Sequence, residues 1–435
     1  ADIPGGEQAQ WIGERINLPE IFRKAAMHWD GGYSLAGIVG NGDAFVLRDP
    51  LGIRPAYFID DEELVAVASE RAPLMTVFDK ELEDVMEVQP GTIVVIRSSG
   101  KVTIDRYAED PGRQASCSFE RIYFSRGNDA DIYSERKKLG ALLVPQVLKS
   151  VGQDFSKSVF SYVPNTAESA YYGFMEQLRQ VRRAEVKQRL MDARKAQELT
   201  DDLINELVMD NWPKSEKIAN KDIKLRTFIS QEAGRAQLVS HVYDITYGVV
   251  REEEDALVCI DDSIVRGTTL KRSILQILGR SRPRKLVIAS TAPQIRYPDC
   301  YGIDMSELGK FVAFEAAIAL IEEHGYENLL ADIAASCRET LNEAQPTCVN
   351  HVKRVYEKFK AEEISAKIAD LVCPDCLRGS IDVDVIYQNI ENLHKALPDH
   401  TGDWYFTGNY PTPGGYRVVH KAFLNYYEKK DCRSY

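Results

Sequence analysis

Between Leu35 and Arg97 the apolar residues come in short runs rich in β-branched side chains. These are Leu35-Ala36-Gly37-Ile38-Val39, Ala44-Phe45-Val46-Leu47, Leu64-Val65-Ala66-Val67-Ala68 and Thr92-Ile93-Val94-Val95-Ile96-Arg97, separated by Gly, Pro, Asn and Asp. That pattern predicts a strand-rich layer, with Asn41-Gly42 as the tight turn of a hairpin. The stretch Glu109-Asp110-Pro111-Gly112-Arg113 has linker composition and places a boundary near residue 114. Beyond it the pattern alternates between helix and strand, which in a compact domain implies crossovers and a parallel sheet. Residues 134–150 read as mostly helix, kinked or interrupted at Pro145, residues 158–163, 256–260 and 285–290 as buried strands, and residues 271–279 as a helix with Ile274, Leu275, Ile277 and Leu278 inward. Residues 174–212 contain neither Gly nor Pro, and charged positions surround Leu178, Val181, Val186 and Leu190. This predicts a long helix or helical hairpin inserted in the domain, its charged face turned to water. Past Cys348 one or two helices and an aromatic, Gly- and Pro-rich tail around residues 404–416 are expected.

Composition narrows the class of protein. The 435 residues suffice for two or three domains, and 44% hydrophobic with 28% charged residues is the make-up of a globular chain. A formal net charge of −12 disfavours a general nucleic-acid binder. The most apolar stretch, residues 311–321, is interrupted by Glu315 and is short of the roughly 20 residues a membrane span needs. Eight scattered cysteines form no dense disulfide framework, so a reducing, cytoplasmic compartment is expected. The chain opens Ala1-Asp2-Ile3-Pro4-Gly5-Gly6, without an initiator Met or the features of a signal peptide, and is expected to start inside a longer protein.

The chemistry concentrates in Val258-Cys259-Ile260-Asp261-Asp262-Ser263-Ile264-Val265-Arg266-Gly267-Thr268-Thr269-Leu270. An apolar strand ends in two carboxylates, and Gly267-Thr268-Thr269 opens a helix. Backbone N–H groups at a helix start, two hydroxyls and a glycine that permits close approach make a cradle for a monophosphate. Paired acids at the end of a parallel strand accept hydrogen bonds from vicinal hydroxyls and can face a hard divalent cation. An ordinary strand-to-helix turn with an acidic N-cap would account for Asp261 and Asp262 alone, but not for the whole set with Ser263, Arg266, Gly267, Thr268 and Thr269. The string is shaped for a ribose 5-phosphate.

That string resembles the signature of type I phosphoribosyltransferases, which bind phosphoribosyl pyrophosphate (PRPP), and its form is closest to the glutamine PRPP amidotransferase family. Three further stretches agree in order: Phe119-Glu120-Arg121-Ile122-Tyr123-Phe124-Ser125-Arg126, Ala292-Pro293-Gln294-Ile295-Arg296-Tyr297-Pro298 with Tyr301-Gly302-Ile303-Asp304, and Arg48-Asp49-Pro50-Leu51-Gly52-Ile53-Arg54-Pro55 followed by Ala68-Ser69-Glu70. The resemblance runs from about residue 30 to residue 345. It implies α/β and α+β architecture: the rear of an N-terminal-nucleophile glutaminase domain (1–113), a type I phosphoribosyltransferase domain with a central parallel sheet (114–345, helical insertion about 174–212) and a C-terminal extension (346–435). It further implies an amidophosphoribosyltransferase of purine synthesis, with PRPP, glutamine or ammonia, and regulating purine nucleotides as partners, in a homo-oligomer that binds neither nucleic acid nor membrane. The site residues implied are Asp261, Asp262, Ser263, Arg266, Gly267, Thr268 and Thr269, with Asn165 and Thr166 on the pyrophosphate, Arg226 on the leaving group, and Mg²⁺ at Asp261 and Asp262.

The chain also departs from the family. The family's glutaminase uses an N-terminal Cys as nucleophile; here the first residue is Ala1, so these residues are not expected to hydrolyse glutamine. Cys117 reads as a free cysteine. Pro164-Asn165-Thr166-Ala167 stands where family members often have Pro-Glu-Thr-Ser. Lys224-Leu225-Arg226-Thr227-Phe228-Ile229 resembles the start of a loop that closes over PRPP, but the basic run expected after it reads His241-Val242-Tyr243-Asp244. Of the four cysteines that hold an iron–sulfur cluster in some members, Cys117 matches the first, Cys300 lies one residue from the second, and Gly402 and Tyr405 replace the last pair. No cluster is expected, and Cys373-Pro374-Asp375-Cys376 alone is a weak metal signal. Two other classes share the PRPP string: a salvage phosphoribosyltransferase, which would lack the Arg48-Asp49-Pro50 layer, and a PRPP-binding regulator without catalysis.

Overall fold

The computed structural model describes residues 8–434 except 9–10, 14, 62, 154, 211, 222–242, 304 and 344–347. A helix α1 (Leu18–Ala26), opened by the Asn17 side chain accepting from Glu20 N, leads into the first β-layer. Its four-stranded antiparallel sheet has the order β1 (Ser34–Ile38), β2 (Ala44–Arg48), β6 (Thr92–Ile96), β7 (Val102–Arg106). A three-stranded sheet lies beside it, in the order β4 (Val65–Ala68), β3 (Tyr57–Asp60), β5 (Met86–Glu87), followed by α2 (Arg71–Phe78) in the chain after β4. Asn41-Gly42 does form the β1–β2 hairpin: Val39 N donates to Asp43 O at 2.7 Å, and Gly42 sits at φ +89°, where a side chain would be strained.

The next sheet is parallel, in the order β14 (Asp382–Tyr387), β13 (Lys285–Ser290), β12 (Ala256–Asp261), β8 (Ser158–Tyr162), β9 (Lys214–Ser215), and β10 (Ala219–Lys221) and β11 (Tyr243–Ile245) form a separate antiparallel pair. Residues 256–260 have no exposed surface, because both faces of β12 are covered. On one face Ala256, Val258 and Ile260 meet α3 (Ala130–Val151) and α4 (Glu168–Ala196) through Leu143, Val144, Val147, Phe174 and Leu178. On the other, Leu257 and Cys259 belong to a larger core with α5 (Gly267–Thr269, Leu270–Ile274 and Leu275–Gly279 in succession), α6 (Val312–Glu323), α7 (Asn328–Asn342) and α8 (Ala361–Val372). Burial on both sides explains the unbroken apolar runs of these strands.

Helix α3 runs through Pro145 without interruption. The inserted helix α4 is 29 residues long and begins at Glu168, earlier than its sequence pattern indicates. Its first half packs tightly on α3, since a Cβ at Gly173 would stand 2.0 Å from Lys137 O and one at Gly140 would stand 1.8 Å from Ala170 O. Its second half is mostly exposed and leads to short helical turns at Asp201–Asn205 and Glu206–Asp210. Strand β14 is one of the elements that the sequence pattern does not show: Asp382 and Asp384 make it read as polar, but both pair with Lys285 Nζ of β13, at 3.1 and 2.7 Å. After it come α9 (Ile390–Ala396), α10 (Trp404–Thr407) and α11 (Pro413–Tyr427). No helix among the described residues is long and apolar enough to cross a membrane.

Candidate active site

Strand β12 delivers Asp261 to the carboxyl edge of the parallel sheet, and the neighbouring strands hold the loop that follows. Thr291 N donates to Asp261 O at 2.9 Å, Ala292 N and Thr291 Oγ1 both donate to Asp262 O at 3.0 Å, and Val163 N donates to Ile260 O at 2.8 Å. The two carboxylates differ in setting. Asp262 N donates to Asp261 Oδ1 at 2.9 Å, so the Asp261 side chain folds back over its own loop. Asp262 accepts from Ser263 Oγ at 3.1 Å, and Thr166, on the loop after β8, lies within electrostatic reach of it. Burial pushes the Asp262 carboxyl up to about 6, against the opposing pull of Ser263, the Arg136 charge and Thr166.

Thr166 beside Asp262 brings together the two loops that the sequence assigns to opposite ends of one ligand. Asn165 is exposed beside it, after a cis Pro164–Asn165 peptide bond. Ser263, Arg266 and Gly267 are half-buried and Thr268 is exposed at the start of α5, whose N-cap residue Arg266 offers no side-chain cap to the first amides. Gly267 has a packing task as well: a Cβ there would meet Val312 at 2.9 Å and Val372 at 3.1 Å, so the glycine lets α5 seat against α6 and α8. The site residues Asp261, Asp262, Ser263, Arg266, Gly267, Thr268 and the Asn165-Thr166 pair thus gather at one sheet edge, and Thr269 lies in the same helical turn. Arg226 and the whole 224–237 stretch lie outside the described residues.

Arg136 is a candidate site residue that the sequence does not point to directly. It is 4% exposed on α3, donates to Arg121 O at 2.8 Å and Ser125 O at 2.6 Å, and is the cation whose field reaches Asp262. A signal for it exists, because Ile132, Arg136, Leu139, Gly140 and Leu143 form the buried stripe of α3. An arginine on the apolar stripe of a helix is a buried charge in need of a partner.

Two strand-end carboxylates suit a hard divalent cation that completes its shell with substrate phosphate and water. A site built by protein alone does not fit, since no group of three or more His, Cys, Asp or Glu side chains placed for a metal occurs among the described residues. The iron–sulfur positions are differently filled. Cys117 pairs with Gly402 in a parallel bridge, and Ser118 donates to Gly402 O through N at 2.9 Å and Oγ at 2.8 Å. Tyr405 Oη and Trp404 Nε1 donate to the fully buried Asp299 at 2.8 and 3.2 Å. A glycine and a buried, hydrogen-bonded tyrosine at two of four ligand positions do not fit a cluster. Cys373 is buried with its thiol on Pro374 O, and Cys376 is exposed.

No family model matches the chain. Among curated proteins it is 29% identical over 294 residues to the amidophosphoribosyltransferase of Pasteurella multocida, covering 65% of this chain and 50% of that protein. It is 24% identical over 401 residues to the amidophosphoribosyltransferase of Rhizobium etli, covering 90% of this chain and 62% of that protein. The chain therefore spans about half to three-fifths of the length of these relatives. Among solved structures, the glutamine PRPP amidotransferase from B. subtilis complexed with ADP and GMP shares the fold at a TM-score of 0.58 and 22% identity, over 94% of this chain and 71% of that one. By sequence similarity and by fold, the chain is a divergent relative of the amidophosphoribosyltransferases.

Proposed function

We propose that the chain binds PRPP at the end of β12 and acts as an amidophosphoribosyltransferase, displacing pyrophosphate from C1 by ammonia to give 5-phosphoribosylamine. The observation that carries this reading is the parallel pairing of β8 with β12, which sets the loop carrying Thr166 beside the loop carrying Asp262. Asp261 and Asp262 would accept from the ribose diol, Thr268, Thr269 and the first amides of α5 would hold the 5-phosphate, and Asn165 and Thr166 would hold the pyrophosphate. Mg²⁺ held by Asp261, Asp262 and substrate oxygens would offset charge on the leaving pyrophosphate. Departure of that group leaves an oxocarbenium-like ribose, so the protein's contribution is positional and electrostatic: the diol is fixed, the phosphate anchored and C1 kept from water. A side-chain base is not required where free ammonia attacks.

In this reading residues 1–113 are the rear of a glutaminase domain, residues 114–345 the transferase domain and residues 346–435 an extension that shares its sheet. Arg226 would approach the pyrophosphate, glutamine would supply the ammonia, purine nucleotides would regulate, and the compartment would be cytoplasmic. Release of pyrophosphate from PRPP with Mg²⁺ and ammonium chloride tests the reading. PRPP binding without pyrophosphate release would favour the second reading, a PRPP-binding regulator, for which the altered Pro164-Asn165-Thr166-Ala167 loop is the supporting observation. Pyrophosphate release that depends on adenine or hypoxanthine would instead mark a salvage enzyme.

A further inference from the structure

Strand β14 ends in a residue to which the reading above gives no task. Tyr387 lies in one row with Ser290 and Asp261, because Ser290 is the Cα partner of both. Partners in register on adjacent strands direct their side chains to the same face, and the residues two positions earlier in the same strands, Val385, Ile288 and Cys259, all belong to the larger core. Tyr387 is 7% exposed, and its hydroxyl has no hydrogen-bond partner among the described residues. The intervening Ser290 hydroxyl is already engaged, donating to Ala292 O at 2.9 Å. A phenol buried in this way carries the desolvation cost of its hydroxyl with no return from the core, where Phe would serve as well. Burial raises the Tyr387 hydroxyl far above its ordinary range, and the Asp261 carboxylate raises it further, so the two groups lie within electrostatic reach of one another.

We propose that Tyr387 is a positioning residue for Asp261: its hydroxyl donates to the Asp261 carboxylate when that carboxylate engages the ribose diol of a bound phosphoribosyl substrate. The proposal rests on the PRPP reading and adds to it a residue from the sheet edge. The Asp262 amide already holds Asp261 Oδ1 from the loop side. A donor from β14 would fix the rotation of the carboxylate from the sheet side, leaving less rotational freedom to lose when substrate arrives. No proton is transferred and no covalent bond changes.

Calorimetric titration of PRPP in the presence of Mg²⁺ into four forms of the full chain tests it: unaltered, Tyr387→Phe, Asp261→Asn and the double variant. Tyr387→Phe should raise the PRPP Kd about tenfold, leave the thermal midpoint unchanged or higher, and change the Kd less than twofold in the Asp261→Asn background. An unchanged Kd in Tyr387→Phe, an equal loss in both backgrounds, or a Tyr387→Phe chain that fails to fold would each overturn the assignment, the last because the hydroxyl would then serve the core. Failure of the unaltered chain to bind PRPP would instead overturn the functional reading on which this one rests.

Discussion

The antiparallel layer before residue 114 and the parallel sheet after it both carry family-like charged motifs, and they use them in opposite ways. In the first, the motif residues are engaged from within. Asp49 has no exposed surface and accepts from Leu51 N and Ile53 N on one oxygen and from Arg54 N and Tyr33 N on the other, at 3.0–3.4 Å. Arg48 is bonded to Arg54 O, Gly52 O, Val88 O and Glu87, and Arg54 reaches Tyr301 O and Glu120, tying the layer to the sheet domain. Glu70 caps Arg126 N at 2.6 Å. In the second region Thr268 and Asn165 are exposed, Asp261 and Asp262 are half-buried, and the bonds they make orient them without closing them off. A sequence motif therefore shows that a local structure is kept; whether it also keeps a reactive surface depends on how much of its hydrogen-bonding capacity the fold has left over.

The largest test of this contrast lies in the first region. Asp49→Ala leaves one buried and three part-buried amides without that acceptor and should cost roughly 3–4 kcal/mol of stability, seen as a lower denaturation midpoint. Asp262→Asn should do the reverse, weakening PRPP binding by roughly 1–3 kcal/mol with little change in stability, and Asp261→Asn should act similarly. If Asp262→Asn unfolds the chain, or Asp49→Ala leaves stability intact, the two regions do not divide the work as described.

A pH effect of about 3 kcal/mol should come from neither motif. His420 is 1% exposed, stacks on His351 with ring centroids 5.2 Å apart, and is held down to about 4, first by burial and then by the charge of His351. Its folded value lies below the unfolded value near 6.5, so the neutral ring favours the fold above that pH. The stability should then fall as pH drops from about 6.5 toward 4 and level off below it. His420→Gln should flatten this part of the profile, and an unchanged slope would contradict the burial argument. The smallest effect, about 1 kcal/mol, belongs to Thr268→Val, which should weaken ribose 5-phosphate and AMP along with PRPP because all three carry the 5-phosphate. Loss confined to PRPP would move Thr268 away from the phosphate.

The sequence made the site's string legible because strand, acids, glycine and hydroxyls are contiguous there, and it made β12 and β13 legible because burial on both faces leaves an unbroken apolar run. Residues that reach the site from elsewhere were harder to read. Arg136 arrives from a helix whose charge looks like a surface position until its stripe is traced. Tyr387 arrives on β14, whose alternating aspartates are neutralised by Lys285 on the neighbouring strand, a contact that exists in three dimensions alone. Gly267 was read for the ligand it admits, and the structure adds the two valines it accommodates.

The central claim is that the edge of the parallel sheet at Asp261 and Asp262 binds PRPP, and a calorimetric titration of PRPP with Mg²⁺ into the unaltered chain and the Asp262→Asn variant tests it most directly. The account predicts saturable one-site binding that weakens by roughly ten- to a hundredfold in the variant. Absence of binding to the unaltered chain, or equal affinity in both, would contradict it.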